Sequence, residues 1–264
     1  MTVISLVLAG GLGLRMHQEG ELPKQFFVLG EKPVLIHTLE RFDAHPDVDS
    51  TCIVCLPTWE AYLKNIVMRY RIKKARWIVS GGETRQESVY NGLCKLENVC
   101  PSDTIVVVHD GVRPFVTAEI ISNCIEVTMR GTSAMTGLLS TDTLVSSQDG
   151  SSASTAMDRN STYTIQTPQA YRLSYGLDLY RKAIKKGIKN SINCCELFIA
   201  MGETVQIVNG RKTNIKLTTP DDIAYLQFLH SIFTDSEEKN SDEQYRARGY
   251  LSIGRVAFLG GNGP

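Results

Sequence analysis

The amino-acid sequence predicts an α/β protein built on a doubly wound, mostly parallel sheet with a protruding β-hairpin arm. Short β-rich apolar runs alternate with segments of helical spacing along the first half of the chain. An alternating strand and helix order gives right-handed crossovers, which place helices on both faces of a parallel sheet. Three of the strands end in glycines or in a His-Asp pair, and ligands bind at the carboxyl ends of strands in such sheets. The sequence therefore predicts one site shared by the three strand ends.

The composition limits the classes of function. The chain has 264 residues, of which 42% are hydrophobic, and its 28 Lys and Arg residues balance 28 Asp and Glu residues. A net charge of zero disfavours a protein held on nucleic acid by bulk electrostatics, so no nucleic-acid partner is predicted. The nearly apolar stretch 4–14 contains glycines and is too short to span a bilayer, so no membrane segment is predicted either.

The cysteines and the N-terminal residues indicate the compartment. The seven cysteines form no disulfide framework, and Cys52 and Cys55 lie in an apolar run without a second pair for zinc. Buried thiols in a reducing cytoplasm are the expected state. The first residues show no basic segment of the kind that begins a secretory signal, and a cytoplasmic location is predicted.

The elements of the first half follow one another at short intervals. Residues 2–9 form a continuous apolar run that ends in glycines, as a buried parallel strand does. The other strands predicted in this half are residues 50–57, 75–80 and 104–109. The helices predicted in this half are residues 34–42, 59–71, 85–96 and 117–130.

The second half begins with the arm. Residues 143–147 and 163–166 are predicted strands on either side of a polar tip, residues 148–155, and we expect this hairpin to lie outside the packed sheet. Pro220, followed by two acidic residues, marks the start of the last helix. The elements predicted after the arm are helices 174–186, 196–201 and 221–233 and a strand at 204–208.

A glycine-rich turn follows the first strand. The segment Gly10-Gly11-Leu12-Gly13 would expose backbone N–H groups to an anion, and Arg15 and Lys24 would add two cations suited to a phosphoryl group. The turn lacks the Gly-Lys-Ser/Thr of a Walker A loop, and it has Met16 where the dinucleotide fingerprint needs a glycine. Taken alone, it could equally be a plain tight turn with surface cations.

Four further segments carry polar groups. In His109-Asp110-Gly111-Val112-Arg113-Pro114 the acid suits a magnesium ion or a ribose and Arg113 suits a phosphate, although Asp110 could also cap the next turn. Gly81-Gly82, with Ser88 beyond them, would let a flat base lie against the backbone, although this segment could be a simple helix N-terminus. The other two segments, each with a cation in a polar loop, are Asp158-Arg159-Asn160, which leads to Thr167-Pro168-Gln169, and Asn214-Ile215-Lys216.

In this order the five segments resemble the IspD/TarI family of CTP:polyol-phosphate cytidylyltransferases, over residues 3–233. The family joins CTP to a sugar-alcohol phosphate and releases pyrophosphate, in isoprenoid or cell-surface polysaccharide biosynthesis. The resemblance implies a Rossmann-like nucleotidyltransferase sheet. Because a phosphate monoester is a competent nucleophile near neutral pH, the reaction needs positioning and charge neutralisation rather than a Ser/His/Asp triad. His109 is therefore expected to be a packed strand-end residue and not a base.

The resemblance implies a role for each matching residue. Arg15 and Lys24 would act on the CTP phosphates, and Arg159 and Lys216 would position the incoming phosphate, so that these four form the implied catalytic set. Asp110 would hold the nucleotide or its magnesium ion, the cofactor that the family implies. The other residues implied to bind CTP are Ala9, Gly10, Gly11, Gly13, Gly82, Arg85 and Ser88. The other residues implied to bind the acceptor are Arg113 and Thr143.

The resemblance also implies a homodimer. In family members the arm, here about residues 140–164, crosses to a partner subunit and helps to form its substrate pocket. A polar loop as long as the tip of this arm is usually functional when it is ordered. We therefore expect the arm, which includes Thr143, to cross a two-fold dimer and complete the site of the partner.

The identity of the acceptor is open from the sequence. Where many family members have an acidic Thr-Asp pair, this chain has Asn193-Cys194-Cys195. The segments around Arg85 and Arg159 resemble the methylerythritol-phosphate enzymes, whereas the C-terminal tail favours ribitol. The expected acceptor is therefore either 2-C-methyl-D-erythritol 4-phosphate or ribitol 5-phosphate, and the two are almost equally supported. Two alternatives come from other classes: an NAD(P)-dependent oxidoreductase, disfavoured by Met16 and Lys24, and a catalytically silent sugar-nucleotide-binding regulator, disfavoured by the retention of every expected cation.

The composition changes after residue 233. Residues 1–233 are predicted to be the cytidylyltransferase domain, and residues 234–252, which are mostly charged and polar, a linker. Residues 253–264 run from an apolar strand pattern into clustered glycines, as a dinucleotide-binding domain begins. Since some family members that make CDP-ribitol are fused to a reductase that supplies ribitol phosphate, we expect the chain to be the front part of a longer protein. A natural tail with a chance glycine cluster is the equal alternative.

Overall fold

The computed structural model of the chain describes residues 1–11 and 22–237. Gly13 and Arg15 of the glycine-rich turn lie outside the described residues, as do the segment 253–264 and most of the predicted linker. Within the described ranges, no helix combines the length and the apolar character needed to cross a bilayer.

Strands and helices alternate through most of the described chain. The strands are β1 (Val3–Ala9), β2 (Val28–Leu29), β3 (Lys32–Pro33), β4 (Ser50–Cys55), β5 (Ala75–Ser80), β6 (Ile105–Asp110), β7 (Ala134–Leu139), β8 (Val145–Ser146), β9 (Thr155–Ala156), β10 (Tyr163–Arg172) and β11 (Gln206–Asn209). The α-helices are α1 (Val34–Ala44), α2 (Glu60–Arg69), α3 (Arg85–Glu97), α4 (Ala118–Met129), α5 (Leu173–Lys185), α6 (Cys194–Ala200) and α7 (Asp221–Glu237). Every element predicted in the first half of the chain is present, with its ends shifted by at most two residues.

A seven-stranded sheet with the order β11-β7-β10-β6-β1-β4-β5 forms the centre of the fold. Strand β1 pairs in parallel with β4 and β6, and β4 pairs in parallel with β5. On the other side β11 is parallel to β7, while β10 runs antiparallel to both of its neighbours. The mostly parallel sheet predicted from the sequence is confirmed.

Helices cover both faces of this sheet. On β1, Val3 and Val7 belong to a core that α1, α2 and α4 complete, whereas Ile4 and Leu6 belong to a second core completed by α3, α5 and α6. Successive side chains of a strand point to opposite faces, so a strand that is apolar throughout must be buried on both. The continuous apolar pattern of β1 has this cause, and the doubly wound arrangement is confirmed.

The prediction for the returning strand of the arm was wrong. Residues 163–166 were expected outside the packed sheet, but they begin β10, in which Tyr163 pairs with Leu139 and Ile165 pairs with Gly137 of the central sheet. Strand β7, which provides these partners, was not predicted. Pro168 interrupts the strand pattern because proline cannot donate to a ladder, and the structure accommodates it where the register shifts between Ile165 and Gln169.

The arm itself is a short hairpin. Val145 pairs with Ala156 and Ser146 with Thr155, and all four residues are exposed. At the base of the arm, the backbone N–H of Ser140 donates to the carbonyl of Thr162 at 2.8 Å. A hairpin is present between β7 and β10, as predicted, but its second strand is Thr155–Ala156, at the end of the predicted polar tip, and not residues 163–166.

Helix α7 is longer than the sequence predicts. It was expected over residues 221–233 and continues to Glu237, four residues into the predicted linker. Each residue added to an existing helix gains one backbone hydrogen bond without a new nucleation cost, so a helix can extend past its last apolar position.

Candidate active site

The carboxyl ends of the strands meet at one edge of the sheet. Strand β1 lies between β6 and β4, and its Leu8 pairs with Asp110 at the end of β6. A cavity of about 700 Å³ opens at this edge. Among the residues that line it are Gly10, Gly11, Lys24, Gly82, Arg85 and Ser88. The three strand ends lie together at this edge, because Arg85 of this cavity also contacts Asp110. That they form one binding site stays a prediction.

Glycines after β5 allow the chain to fold closely over the start of α3. A Cβ atom at Gly81 would lie 3.1 Å from the Ser88 hydroxyl oxygen, and one at Gly82 would lie 2.3 Å from the side chain of Glu87. The backbone N–H of Gly82 donates to the Ser88 hydroxyl at 3.1 Å. Thr84 caps α3, since its hydroxyl accepts from the backbone N–H of Glu87 at 3.1 Å. These contacts place Ser88 and the first turn of α3 against the cavity.

Asp110 brings three cations together. One carboxylate oxygen lies 3.2 Å from the guanidinium of Arg85. The other lies 3.3 Å from Arg113 Nε and 3.1 Å from Lys216 Nζ. Three cations and one carboxylate leave an excess of two positive charges at the edge of the sheet, where an anionic ligand would be stabilised.

The Asp110 carboxyl group stays ionised in this cluster. Burial by itself would raise its pKa, but the charges of Lys216, Arg85 and Arg113 outweigh burial and hold the pKa of Asp110 well below its ordinary value. The side chain of Asp110 is almost completely buried. A permanent buried negative charge of this kind fixes the positions of the cations around it.

A second cavity, of about 340 Å³, lies on the other side of the cluster. Arg113 and Lys216 line it, together with residues at the base of the arm and of the segment between β11 and α7. The two cavities have no lining residue in common, but Asp110 contacts residues of both. The charge cluster therefore lies between the two cavities.

Asn214 holds the segment that carries Lys216. Its side-chain amide donates to the carbonyl of Thr167 at 2.8 Å and to the side-chain oxygen of Gln166 at 3.1 Å. Its own carbonyl accepts from Arg113 at 2.7 Å. The sequence marked Asn214 as part of a motif but assigned it no task, because its partners are distant in the chain and lie on β10, where the strand was not fully predicted.

Lys24 joins the first turn to the same segment. It lines the larger cavity, and its ammonium donates to the carbonyl of Leu217 at 2.8 Å. The neighbouring Gln25 donates to the carbonyl of Ala9 at 2.7 Å. Ala9 is buried behind the cavity, so its part in nucleotide binding would be to support the turn.

Two of the residues predicted to bind the acceptor lie away from the Asp110 cluster and from both of these cavities. Thr143 and Arg159 are exposed on the arm, and neither lines the cavity beside Arg85 or the cavity beside Lys216. Gly13 and Arg15 are outside the described residues. The structure thus brings together Lys24, Arg85, Asp110, Arg113 and Lys216 but does not bring the arm residues to them within one chain.

His109 is a packed residue, as expected. It is fully buried, its Nε2–H donates to the carbonyl of Arg113 at 3.2 Å, and its ring lies 5.1 Å from that of Phe42. Burial lowers the pKa of His109 to about 4, so the imidazole is neutral near pH 7. It supports the turn that carries Arg113.

The predicted magnesium site at Asp110 does not fit the donor set. Each Asp110 oxygen already faces a guanidinium or ammonium group, which would repel a second cation. Asp110 is therefore better described as the anchor of the cations than as a metal ligand.

The fold and the site define a nucleotide-binding α/β protein, and comparison with known proteins places it among the nucleotidyltransferase enzymes. The family model described as 2-C-methyl-D-erythritol 4-phosphate cytidylyltransferase, or IspD, matches residues 3–231. The chain belongs to this family, and the resemblance stated from its motifs is confirmed. The comparisons do not support the two alternative functions, an NAD(P)-dependent oxidoreductase and a catalytically silent sugar-nucleotide-binding regulator.

Relatives with two different names match the chain. A ribitol-5-phosphate cytidylyltransferase of Streptococcus agalactiae serotype Ia is 36% identical over 227 residues, which are 86% of this chain and 95% of that protein. A 2-C-methyl-D-erythritol 4-phosphate cytidylyltransferase of Syntrophus aciditrophicus is 38% identical over 238 residues, 89% of this chain and 97% of that protein.

A solved structure shows the same fold. The 4-diphosphocytidyl-2C-methyl-D-erythritol synthase of Anaerococcus prevotii superposes with a TM-score of 0.74 at 27% identity, over 87% of this chain and 96% of that one. The nucleotidyltransferase sheet predicted from the motifs is confirmed.

Proposed function

We propose that this protein transfers CMP from CTP to a sugar-alcohol phosphate and releases pyrophosphate. The observation that carries the proposal is the cluster around Asp110, with its excess of two positive charges between two cavities. Two anionic reactants can approach each other only where their charges are neutralised. The relatives support the choice of reactants, since they are named for ribitol 5-phosphate and for 2-C-methyl-D-erythritol 4-phosphate.

The larger cavity is assigned to CTP and the smaller to the acceptor. A volume of about 700 Å³ suits a nucleoside triphosphate, and about 340 Å³ suits a small polyol phosphate. Gly82 and Ser88 would receive the base and ribose, and Lys24 and Arg85 the phosphates. Arg113 and Lys216, which line the smaller cavity, would hold the phosphate of the acceptor. Arg15, which lies outside the described residues, is also proposed to act on the CTP phosphates, as the family resemblance implies.

In the proposed reaction an oxygen of the acceptor phosphate attacks the α-phosphorus of CTP. The bond between the α-phosphorus and the bridging oxygen breaks, and pyrophosphate leaves with the electron pair. The side chains neutralise the charge of both reactants and hold them in line, which is the main contribution of the protein in phosphoryl and nucleotidyl transfer. No proton has to be removed from the attacking phosphate, which agrees with the buried, neutral His109.

The arm is proposed to act across a homodimer. Thr143 and Arg159 are exposed and lie outside both cavities of their own chain, so we assign them to the acceptor site of a partner subunit. Four apolar side chains on or beside the arm are exposed and would pack in such a dimer: Leu139, Leu144, Val145 and Met157.

Magnesium is proposed to enter with the phosphates of CTP, because Asp110 does not offer it a free oxygen.

The compartment is proposed to be the cytoplasm. All seven cysteines lie among the described residues and are free thiols, as a reducing compartment would keep them.

The test is pyrophosphate release from CTP with each of the two polyol phosphates. Release should depend on the acceptor and should be lost in Lys216→Met, while Lys182→Met, which changes an exposed lysine on α5, should behave as wild type. Absence of release with both acceptors, or an NAD(P)H-dependent absorbance change in its place, would contradict the proposed function.

A further inference from the structure

The smaller cavity, which is assigned to the acceptor, has two chemically different ends. At its inner end Arg113 and Lys216 stand against Asp110, beside the nucleotide cavity. At its outer end lie Lys212 and Thr141, which are both exposed, at the base of the arm. The inner end suits a phosphate, and the outer end offers hydrogen-bonding groups.

Lys212 is held at the outer end by its surroundings. Its ammonium donates to the Thr141 hydroxyl at 3.2 Å. The turn that carries it is anchored because the N–H of Gly210 donates to the carbonyl of Gly137 at 2.8 Å and Gln166 donates to the carbonyl of Arg211 at 3.0 Å. An ammonium has three N–H donors, so two remain for a ligand.

The charge of Lys212 is also uncompensated. Within the described ranges it forms no ion pair, although Asp142 lines the same cavity. Neutral polar side chains accompany it along the wall, among them Thr164 and Gln166. Leu138, Leu139 and Ile215 supply the apolar part of the same wall. The preference for a hydroxyl group therefore comes from the Lys212 ammonium, whose remaining N–H donors a methyl group would leave unpaired.

We propose that Lys212 is a specificity-determining residue that contacts the hydroxyl end of the acceptor. This inference rests on the proposed function, because the acceptor phosphate must lie at the inner end to reach CTP, and its carbon chain then extends toward Lys212. Ribitol 5-phosphate has a straight chain with a hydroxyl on each of its other carbons. 2-C-Methyl-D-erythritol 4-phosphate is one carbon shorter in its chain and carries a methyl branch. Lys212 therefore favours the ribitol-type acceptor.

The experiment compares kcat/KM for the two acceptors in wild type, Lys212→Met and Lys212→Arg. In Lys212→Met the ratio of kcat/KM for ribitol 5-phosphate to that for the methylerythritol phosphate should fall about tenfold, which corresponds to about 1.4 kcal/mol. The KM for CTP should stay within about twofold, because Lys212 does not line the nucleotide cavity. Lys212→Arg should retain most of the ratio, since it keeps the charge and the donors.

Lys186→Met, which changes an exposed lysine after α5, is the matched control and should leave all constants unchanged. An unchanged ratio in Lys212→Met, or an equal loss with both acceptors, would overturn the proposal, because Lys212 would then not distinguish hydroxyl from methyl. A wild-type protein that releases no pyrophosphate with either acceptor would overturn the proposed function instead, so the two failures are distinguishable.

Discussion

Replacing Asp110 by Asn would remove the negative charge that three cations share, at almost unchanged volume. The carboxylate lies 3.2 Å from Arg85, 3.3 Å from Arg113 and 3.1 Å from Lys216, and the residue is 6% exposed. Removing one partner of a buried ion pair costs about 3–5 kcal/mol, because the remaining charge is left without compensation. The Lys216 side chain is 36% exposed and can turn to water. We therefore expect the lower end of that range, about 3 kcal/mol of unfolding free energy.

The same substitution should be visible in Tm and in turnover. For a chain of this size 1 kcal/mol corresponds to about 2–4 °C, so the Tm of Asp110→Asn should fall by about 6–12 °C. Pyrophosphate release should fall roughly a hundredfold, because Arg113 and Lys216 lose the anchor that positions them. Urea unfolding, calorimetry and the release assay measure these quantities. Asp178→Asn makes the same chemical change in an exposed pair with Lys182 and should barely alter either property.

The pH dependence of Tm gives a further measurement. Burial would raise the pKa of Asp110, but Lys216, Arg85 and Arg113 hold it well below the ordinary value. A depressed pKa makes the stabilising contribution fully present above about pH 3.9, the value in the unfolded chain, and it is lost as the pH falls through the folded pKa. The Tm difference between wild type and Asp110→Asn should therefore shrink below about pH 4. A Tm within about 2 °C of wild type at pH 7, with unchanged kcat, would refute this reasoning.

Three other predictions address the nucleotide side, the arm and the buried histidine. Lys24→Met and, separately, Arg15→Ala should lower kcat about a hundredfold or more with little change in Tm, and near-wild-type turnover would remove either residue from the phosphate site. Arg159→Ala and Lys216→Ala dimers should each be inactive, but a 1:1 mixture of their subunits should regain about a quarter of wild-type activity. About half of the mixed dimers are heterodimers, and one of the two sites in each heterodimer has both residues intact. Verified heterodimers without activity would place Arg159 in the site of its own subunit. Burial lowers the pKa of His109 to about 4. The contribution of the neutral imidazole to stability is therefore present above about pH 6.5 and is lost as the pH falls from there to pH 4. In His109→Gln the plot of Tm against pH should be flatter in this window, and a slope identical to that of wild type would contradict the role of His109 as a buried neutral residue.

The sequence predicts the parallel half of the sheet well, and the physical reason is local. Strands β1, β4 and β6 are buried on both faces, so most of their residues are apolar, and such runs are visible without knowledge of their neighbours. Strand β10 is different, because it contains Pro168 and polar residues that are satisfied by partners far away in the chain. Gln169, for example, is buried on β10 and accepts from the backbone N–H of Cys194 at 2.9 Å. A strand whose polar groups are paired only in the folded state shows no strand pattern in the sequence.

The candidate site also has one part that the sequence predicts and one part that it does not. Its location could be predicted because glycines and acids at strand ends are local signals, and in a parallel sheet those ends meet at one edge. What Asp110 does there could not be predicted, since its role depends on Arg85 from α3 and on Lys216 from the segment before α7. An isolated acid at a strand end suggests a metal ligand, but the charge of the ionised Asp110 carboxylate is already compensated by three cations, which it holds in place. The cations that a carboxylate gathers in the folded chain therefore decide whether it binds a metal or organises a site for anions, and Asp110→Asn separates these two roles.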